Sequence, residues 1–494
     1  MINKYRKLSL FLLLIVFLTG LMLLFSSTTS PLYPNSYGVD SAFNRFIGLM
    51  ILRGKTLYSE IWDNKGPVLF FIQAIGVIKG THNADITLTF LLQIVSMLIS
   101  VCFLIKAGAE TAPDRKRFCT SAIPVICGTA VLAKVMEGGN LSEEWSLPMI
   151  SCSLYLLVKY ASGVKENPLH PRRYAFVHGV CFALIAFIRI NNAVSICAGL
   201  LAVAVYLLYR KKWRNFWENI LFGLIGIAVI TVPVFVYFLA KHALGDMLYS
   251  VFLYNLKYAA QRTHKTFVGA DLMDRFLPIG ASFLIILIHW IQTGKLRLLD
   301  VMIFLIVTAN AVMLWNSNIF LHYYIIFVPV FLLVLALYSD ISIARLPELL
   351  IGFAVFAFFI SEDIPLLSGL PEAKNEPDRF AYAASIPPEE KDPSMVLYAS
   401  PEAYLNSGLI PCSRYAAYHF AHFPVDPAMR DEFLSDMHNN KPKWIVYLSG
   451  YEEIISEVKE MLDTEYEKVH EEQGISYYHL MNNSGELTSD EHRE

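Results

Sequence analysis

Residues 216–240 read FWENILFGLIGIAVITVPVFVYFLA, and after Glu218 no charged residue appears before Lys241. A helix rises 1.5 Å per residue, so this run is long enough to cross a hydrocarbon core of roughly 30 Å. Comparable apolar segments lie at about 8–25, 84–106, 117–135, 146–161, 174–188, 191–209, 276–292, 298–315, 319–338 and 346–361. Together they predict a mainly α, polytopic membrane protein of about 11 transmembrane helices. Composition agrees. Of 494 residues, 55% are hydrophobic and only 17% charged, with a mean hydropathy of +0.46, whereas soluble domains carry about one quarter charged residues.

The net charge of −3 hides two opposite halves. From Asp363 onward there are 25 acids against 10 Lys and Arg, leaving 30 basic and 18 acidic residues before it. This predicts two parts: residues 1–362 as a multi-pass membrane domain, and 363–494 as a small extracytoplasmic α/β domain entered through a Pro-rich linker, 363–393. Within the second part, Met395–Ala399 and Trp444–Leu448 read as strands, with helices at 427–439 and 451–463. The seven cysteines have no zinc-like or disulfide-like spacing.

Short-loop positive charge sets orientation. With the N-terminus cytoplasmic, the clusters at Lys106/Arg115/Lys116/Arg117, Lys165/Arg172/Arg173, Arg210/Lys211/Lys212/Arg214, Lys295/Arg297 and Arg345 all fall on the cytoplasmic side. Lys4, Arg6 and Lys7 precede an 18-residue apolar run, Leu8–Phe25. That exceeds a signal-peptide core of 7–15 residues, so an uncleaved first span is favoured.

The candidate chemistry lies in outer loops. In the first, 26–83, Tyr37-Gly38-Val39-Asp40-Ser41 follows the first span, and Trp62-Asp63-Asn64-Lys65-Gly66-Pro67 opens a short apolar stretch ending at Ile78. Asp40 reads equally as a partly desolvated general base or as a helix N-cap. Lys65, beside Asp63 in an outer loop, runs against the positive-inside rule, and an anionic ligand would offset it. A second loop reads Glu137-Gly138-Gly139-Asn140-Leu141-Ser142-Glu143-Glu144. Glu143 and Glu144 suit the start of a helix, where acids oppose the dipole. Arg189, between two apolar runs, is either a functional cation at membrane depth or a snorkelling end residue. Loop 241–275 collects further cations and tyrosines, and His322-Tyr323-Tyr324 opens the tenth span.

These pieces, in this order, resemble the GT-C superfamily of membrane glycosyltransferases. The likeness is to the bacterial relatives of dolichyl-phosphate-mannose protein mannosyltransferases and of the lipid A aminoarabinose transferase. It rests on Gly38-Val39-Asp40, Asp63-Asn64-Lys65-Gly66-Pro67, Glu137-Gly138-Gly139-Asn140 with Glu143-Glu144, Phe187-Ile188-Arg189 and His322-Tyr323-Tyr324. The resemblance implies an inverting transfer of a sugar from a polyprenyl-phosphate donor to a glycan, lipid or protein acceptor, at the outer face of a bacterial inner membrane. It implies Asp40 as general base, and Lys65, Arg189, Asp63, His322 and Tyr323 around the donor or its phosphate. Glu143 or Glu144 would orient acceptor or sugar. Ser41 stands where the mannosyltransferases carry a second acid, and Gly66-Pro67 replaces their double proline, so no bound metal or cofactor is expected. Membrane lipid is an expected partner and nucleic acid is not. Two other classes remain open: a transporter or flippase of a lipid-linked saccharide, and a receptor or scaffold.

Overall fold

A computed structural model describes residues 16–81, 87–110, 128–261, 270–316, 320–338, parts of 347–361, 377–417, 419–448 and 455–481. Within them, six helical segments have the length and hydropathy to cross a membrane: Leu88–Glu110, Arg172–Tyr209, Trp213–Ala240, Leu272–Thr293, Leu298–Trp315 and Leu321–Tyr338. The protein is thus a multi-pass, mainly helical membrane protein with a small C-terminal sheet. The expected spans at 8–25, 117–135 and 346–361 lie wholly or partly outside the described residues.

The elements that position the site are α1 (Val39–Leu52), α2 (Pro67–Gly76), α3 (Leu88–Glu110), α4 (Ser142–Gly163), α5 (Arg172–Arg189), α6 (Val194–Tyr209) and α7 (Trp213–Ala240). The helical run 172–209 would measure about 57 Å if straight, nearly twice a hydrocarbon core. It is broken at its middle. Arg189 takes extended backbone angles (φ −162°, ψ 111°), and a 3-10 turn, Ile190–Ala193, starts the second leg. That matches the two runs, 174–188 and 191–209, in the sequence.

Small residues let α5 and α7 touch along their backbones. A Cβ at Gly179 would sit 2.1 Å from the Gly223 carbonyl oxygen, and one at Gly226 would sit 2.1 Å from that of Phe176. The other side of α7 is left open: only 11% of its apolar window is buried. Segment 241–261, expected as loop, is helical. Leu244–Leu248 leads into a π-turn, Tyr249–Leu253, and a further helix, Tyr254–Ala260. Arg262, His264 and Lys265 of the expected cationic cluster lie outside the described residues.

The C-terminal segment forms a four-stranded sheet of order β1-β2-β4-β3, with β1 (Ser394–Leu397), β2 (Trp444–Leu448), β3 (Tyr466–Glu472) and β4 (Ile475–Leu480). β1 and β2 pair parallel, and the other pairs are antiparallel. Helices at Pro427–Asn440 and Ser456–Glu465 fall close to the expected ones. The β3–β4 hairpin was not expected. β3 reads YEKVHEE and buries only Tyr466, so it lacks the apolar alternation that marks a strand.

Of the expected linker, residues 377–393 are described, and Phe380, Ala383 and Ile386 among them are buried. They share one core with Phe43 and Phe46 of α1, Phe238 of α7, and Tyr404 and Ala416 of the C-terminal segment. Phe46 stacks on Tyr404 with ring centroids 4.5 Å apart. The sheet-bearing segment is therefore seated on the first-loop helices.

Candidate active site

α1 begins after Gly38, whose φ of 68° only glycine adopts freely. Asp40 is the second helical residue, and no side chain caps this helix. Its carboxylate instead meets Lys65: Nζ stands 3.3 Å from Asp40 Oδ1 and 3.6 Å from Asp63 Oδ2. The Asp40 side chain remains 43% exposed. Burial raises its proton affinity, but Lys65, His322 and Arg189 together outweigh burial and leave Asp40 below its ordinary value. For Lys65, burial acts to lower the pKa; Asp63 and Asp40 overcome it, so the ammonium is held more firmly than usual.

The Lys65 loop is fixed by main-chain bonds. Lys65 N donates to Asp63 Oδ1 at 2.7 Å, and the Tyr58 hydroxyl donates to the Lys65 carbonyl at 2.8 Å. Asn255 Nδ2 donates to the Asn64 carbonyl at 2.7 Å. Gly66 N donates to the Ile188 carbonyl at 2.9 Å, and a Cβ there would lie 2.1 Å from the Phe187 oxygen. Only glycine permits this approach of the loop to the end of α5, which sets Lys65 beside Arg189.

Arg189 is held by side chains from two other elements. Nη1 donates to Glu143 Oε1 at 2.7 Å, Nη2 donates to the Tyr323 hydroxyl at 2.9 Å, and the guanidinium lies 4.5 Å from the Tyr323 ring centroid. Glu143 is buried at the start of α4, and Ser142 Oγ donates to it at 2.8 Å.

Glu137, Gly138, Gly139 and Asn140 all have positive φ. This tight turn aims Glu137 at the 3-10 helix Leu321–Phe327, where its Oε2 is 2.5 Å from His322 Nδ1 and accepts from His322 N at 3.2 Å. Asn140 holds the turn from inside: its side chain exchanges two bonds with Gln73, accepts from Trp145 Nε1 and donates to Ser41 Oγ. Glu144, expected to orient a substrate, points inward instead. It accepts from Asn140 N at 2.7 Å and from Gln93 Nε2 at 3.0 Å, which supports the turn.

Asp40, Asp63, Lys65, Arg189, Glu143, His322 and Tyr323 thus converge, and Glu144 braces them from behind. Lys65 and Arg189 line a cavity of about 330 Å³ with Asn64, Asn191, Asn255 and Tyr258, whose other walls include Ile188, Val251, Phe252 and Leu256. Two cations and several amides lining a cavity with apolar walls suit an amphiphile with an anionic head. The sequence reading assigned no role to Glu137, Tyr58, Asn64, Asn191 or Asn255. Only Glu137 carried a local signal, as an acid directly before two glycines. Among the described residues, no group of three or more His, Cys, Asp or Glu side chains is arranged to hold a metal ion.

The fold is that of a polytopic membrane protein of GT-C-like architecture. The chain aligns with ArnT from Cupriavidus metallidurans bound to undecaprenyl phosphate at a TM-score of 0.61 and 12% identity, over 96% of this chain and 99% of that one. Its apo form aligns at a TM-score of 0.59 and 11% identity, over 96% and 98%. The apo oligosaccharyltransferase of Archaeoglobus fulgidus aligns at 0.50 and 11% identity, over 88% of this chain and 69% of that one. In sequence, residues 3–346 match the family described as "Putative competence-induced protein Ccs4 N-terminal domain", and the chain belongs to that family. No curated protein matches it in sequence.

Proposed function

We propose that the protein is a glycosyltransferase that moves a sugar from a polyprenyl-phosphate donor to an acceptor hydroxyl at the extracytoplasmic face of the membrane. The observation that carries this reading is the cavity lined by both Lys65 and Arg189, with Asp40 Oδ1 3.3 Å from Lys65 Nζ. The two cations would hold the phosphodiester and stabilise the charge that develops as the anomeric C–O bond breaks. The apolar wall at Ile188, Val251, Phe252 and Leu256 would take the first isoprene units. Asp40 would accept the acceptor's hydroxyl proton while its oxygen attacks from the opposite side, giving inversion. ArnT, of the same fold, is bound to undecaprenyl phosphate in one structure, which supports a donor of this kind. The sugar belongs to the hexosyl or pentosyl class, and the acceptor is a glycan, lipid or protein.

A transporter reading has less support, because the ionisable cluster sits where α1 and α4 begin and α5 ends, not within the length of a span. The test uses purified protein in lipid nanodiscs, a panel of undecaprenyl-phosphate sugars and mass spectrometry of the products. Asp40→Asn should abolish turnover while leaving the affinity for undecaprenyl phosphate within twofold. Full turnover in Asp40→Asn would rule out its role as base, and donor affinity unchanged in both Lys65→Ala and Arg189→Ala would rule out the phosphate site.

A further inference from the structure

Arg414 of the C-terminal segment holds the bend that leads into the Lys65 loop. Arg414 Nη1 donates to the Tyr58 carbonyl at 2.9 Å, and the Arg414 carbonyl accepts from Trp62 N at 3.0 Å. One residue thus grips both ends of the five-residue bend 58–62. The guanidinium is itself held by two carboxylates from different parts of the chain: Asp246 at 3.4 Å, in the Leu244–Leu248 helix, and Glu432 at 2.6 Å, in the Pro427–Asn440 helix.

The bend needs holding. Tyr58 has φ 72°, a left-handed conformation that a bulky residue adopts only under constraint. Trp62 is only 2% exposed, enclosed by Tyr254 from the membrane part and by Tyr415, His419 and His422 from the C-terminal segment, with ring centroids 5.1–5.8 Å away. From this bend the path to the site is short. The Tyr58 hydroxyl donates to the Lys65 carbonyl, and Trp62 adjoins Asp63, which binds the Lys65 main-chain nitrogen.

We propose that Arg414 is a positioning residue for the donor phosphate. Through Tyr58 it fixes the carbonyl, and hence the ammonium, of Lys65, so the C-terminal segment belongs to the working site instead of merely covering it. The inference rests on the phosphate-site reading above. Arg414 touches no substrate in this account; its guanidinium holds a strained main-chain carbonyl, and the tyrosine ring transmits that constraint over one residue length to the cation.

The experiment measures the Kd of undecaprenyl phosphate and the melting temperature for full-length protein in nanodiscs. Arg414→Ala should raise the Kd about tenfold or more, with Arg414→Lys restoring part of the loss. Tyr58→Phe removes only the hydroxyl link to Lys65, and should raise the Kd several-fold with a smaller fall in melting temperature than the double variant below. A double variant, Asp246→Asn with Glu432→Gln, keeps the Arg414 contact to Tyr58; it should lower the melting temperature and leave the Kd within twofold. A purely structural role for Arg414 would instead make affinity follow melting temperature across the set. Tyr58→Phe with a Kd within twofold of wild type overturns the proposal, as does folded Arg414→Ala with the same result; if Arg414→Ala does not fold, Tyr58→Phe decides. Lys65→Ala distinguishes the two levels. If it leaves the Kd unchanged, the phosphate-site reading itself fails; if it raises the Kd while Tyr58→Phe does not, only the positioning role fails.

Discussion

Glu143→Gln should weaken the empty protein and tighten its grip on the donor. Glu143 is 3% exposed and bonds Arg189 at 2.7 Å, while Arg189 is 23% exposed. Glutamine keeps the shape and removes the charge. Removing one member of a buried pair costs about 3–5 kcal/mol, because the other charge is left uncompensated. Here the lower end applies, since Arg189 keeps its bond to Tyr323 and its place over that ring. In the complex a phosphate oxygen would supply the missing negative charge, so much of the penalty vanishes on binding. If half of about 3 kcal/mol is recovered, affinity for undecaprenyl phosphate rises about tenfold, at 1.4 kcal/mol per decade. The assay pairs thermal melts in nanodiscs, with and without undecaprenyl phosphate, with a direct Kd by calorimetry. The variant should melt lower when empty and gain more on adding ligand than the wild type does. Weaker binding by Glu143→Gln would mean that Arg189 does not face the phosphate, and would refute the reasoning.

Because Lys65, His322 and Arg189 hold Asp40 below its ordinary value, a base at this position stays ionised in mild acid, and turnover is lost only as pH falls through that depressed value. Lys65→Gln should therefore move the acid limb of a pH–rate profile upward; an unmoved limb would exclude Asp40 as the titrating base. Gly66→Ala would drive a Cβ into the Phe187 main chain and should abolish donor binding, whereas Gly245→Ala, with nothing within 4 Å, should not; equal binding in both would refute the close approach. Asn140→Ala strands the buried donors of Gln73 and Trp145, at about 1–3 kcal/mol each, and should lower the melting temperature more than Asn439→Ala at an exposed site. Burial raises the Glu137 pKa, but the bonds from His322 and Leu321 reverse this and leave it depressed. Glu137 thus adds stability above its unfolded-state pKa, and that stability is lost as pH falls through its folded-state value. Glu137→Gln should flatten the acid side of a melting-temperature profile, and an unchanged slope would count against the His322 contact.

The multi-pass, mainly helical character was legible because the length and hydropathy of a span are local properties of the chain. The break at Arg189 showed as a gap between apolar runs, and Asp40, Lys65, Arg189 and His322 stood out as charges beside them. The partners these side chains meet were not legible. Whether Asp40 caps a helix or faces a cation depends on Lys65, 25 residues away; whether Arg189 snorkels or pairs depends on Glu143, 46 residues away. Glu144 and Glu143 are neighbours of the same type, yet the turn of α4 sends one to Arg189 and the other to Asn140. Arg414 reads as an ordinary surface arginine until the fold brings it to Tyr58, across 356 residues. The β3–β4 hairpin is held by pairing with β2, so its charged sequence gave little warning; only Gln473-Gly474, both at positive φ, marks its turn.

Where Gly66 meets Phe187, main chain lies against main chain with no side chain between them. The spacing of the two cations is therefore insensitive to which apolar groups surround the junction, provided position 66 stays bare. Residues lining the cavity are then free to change without altering that spacing.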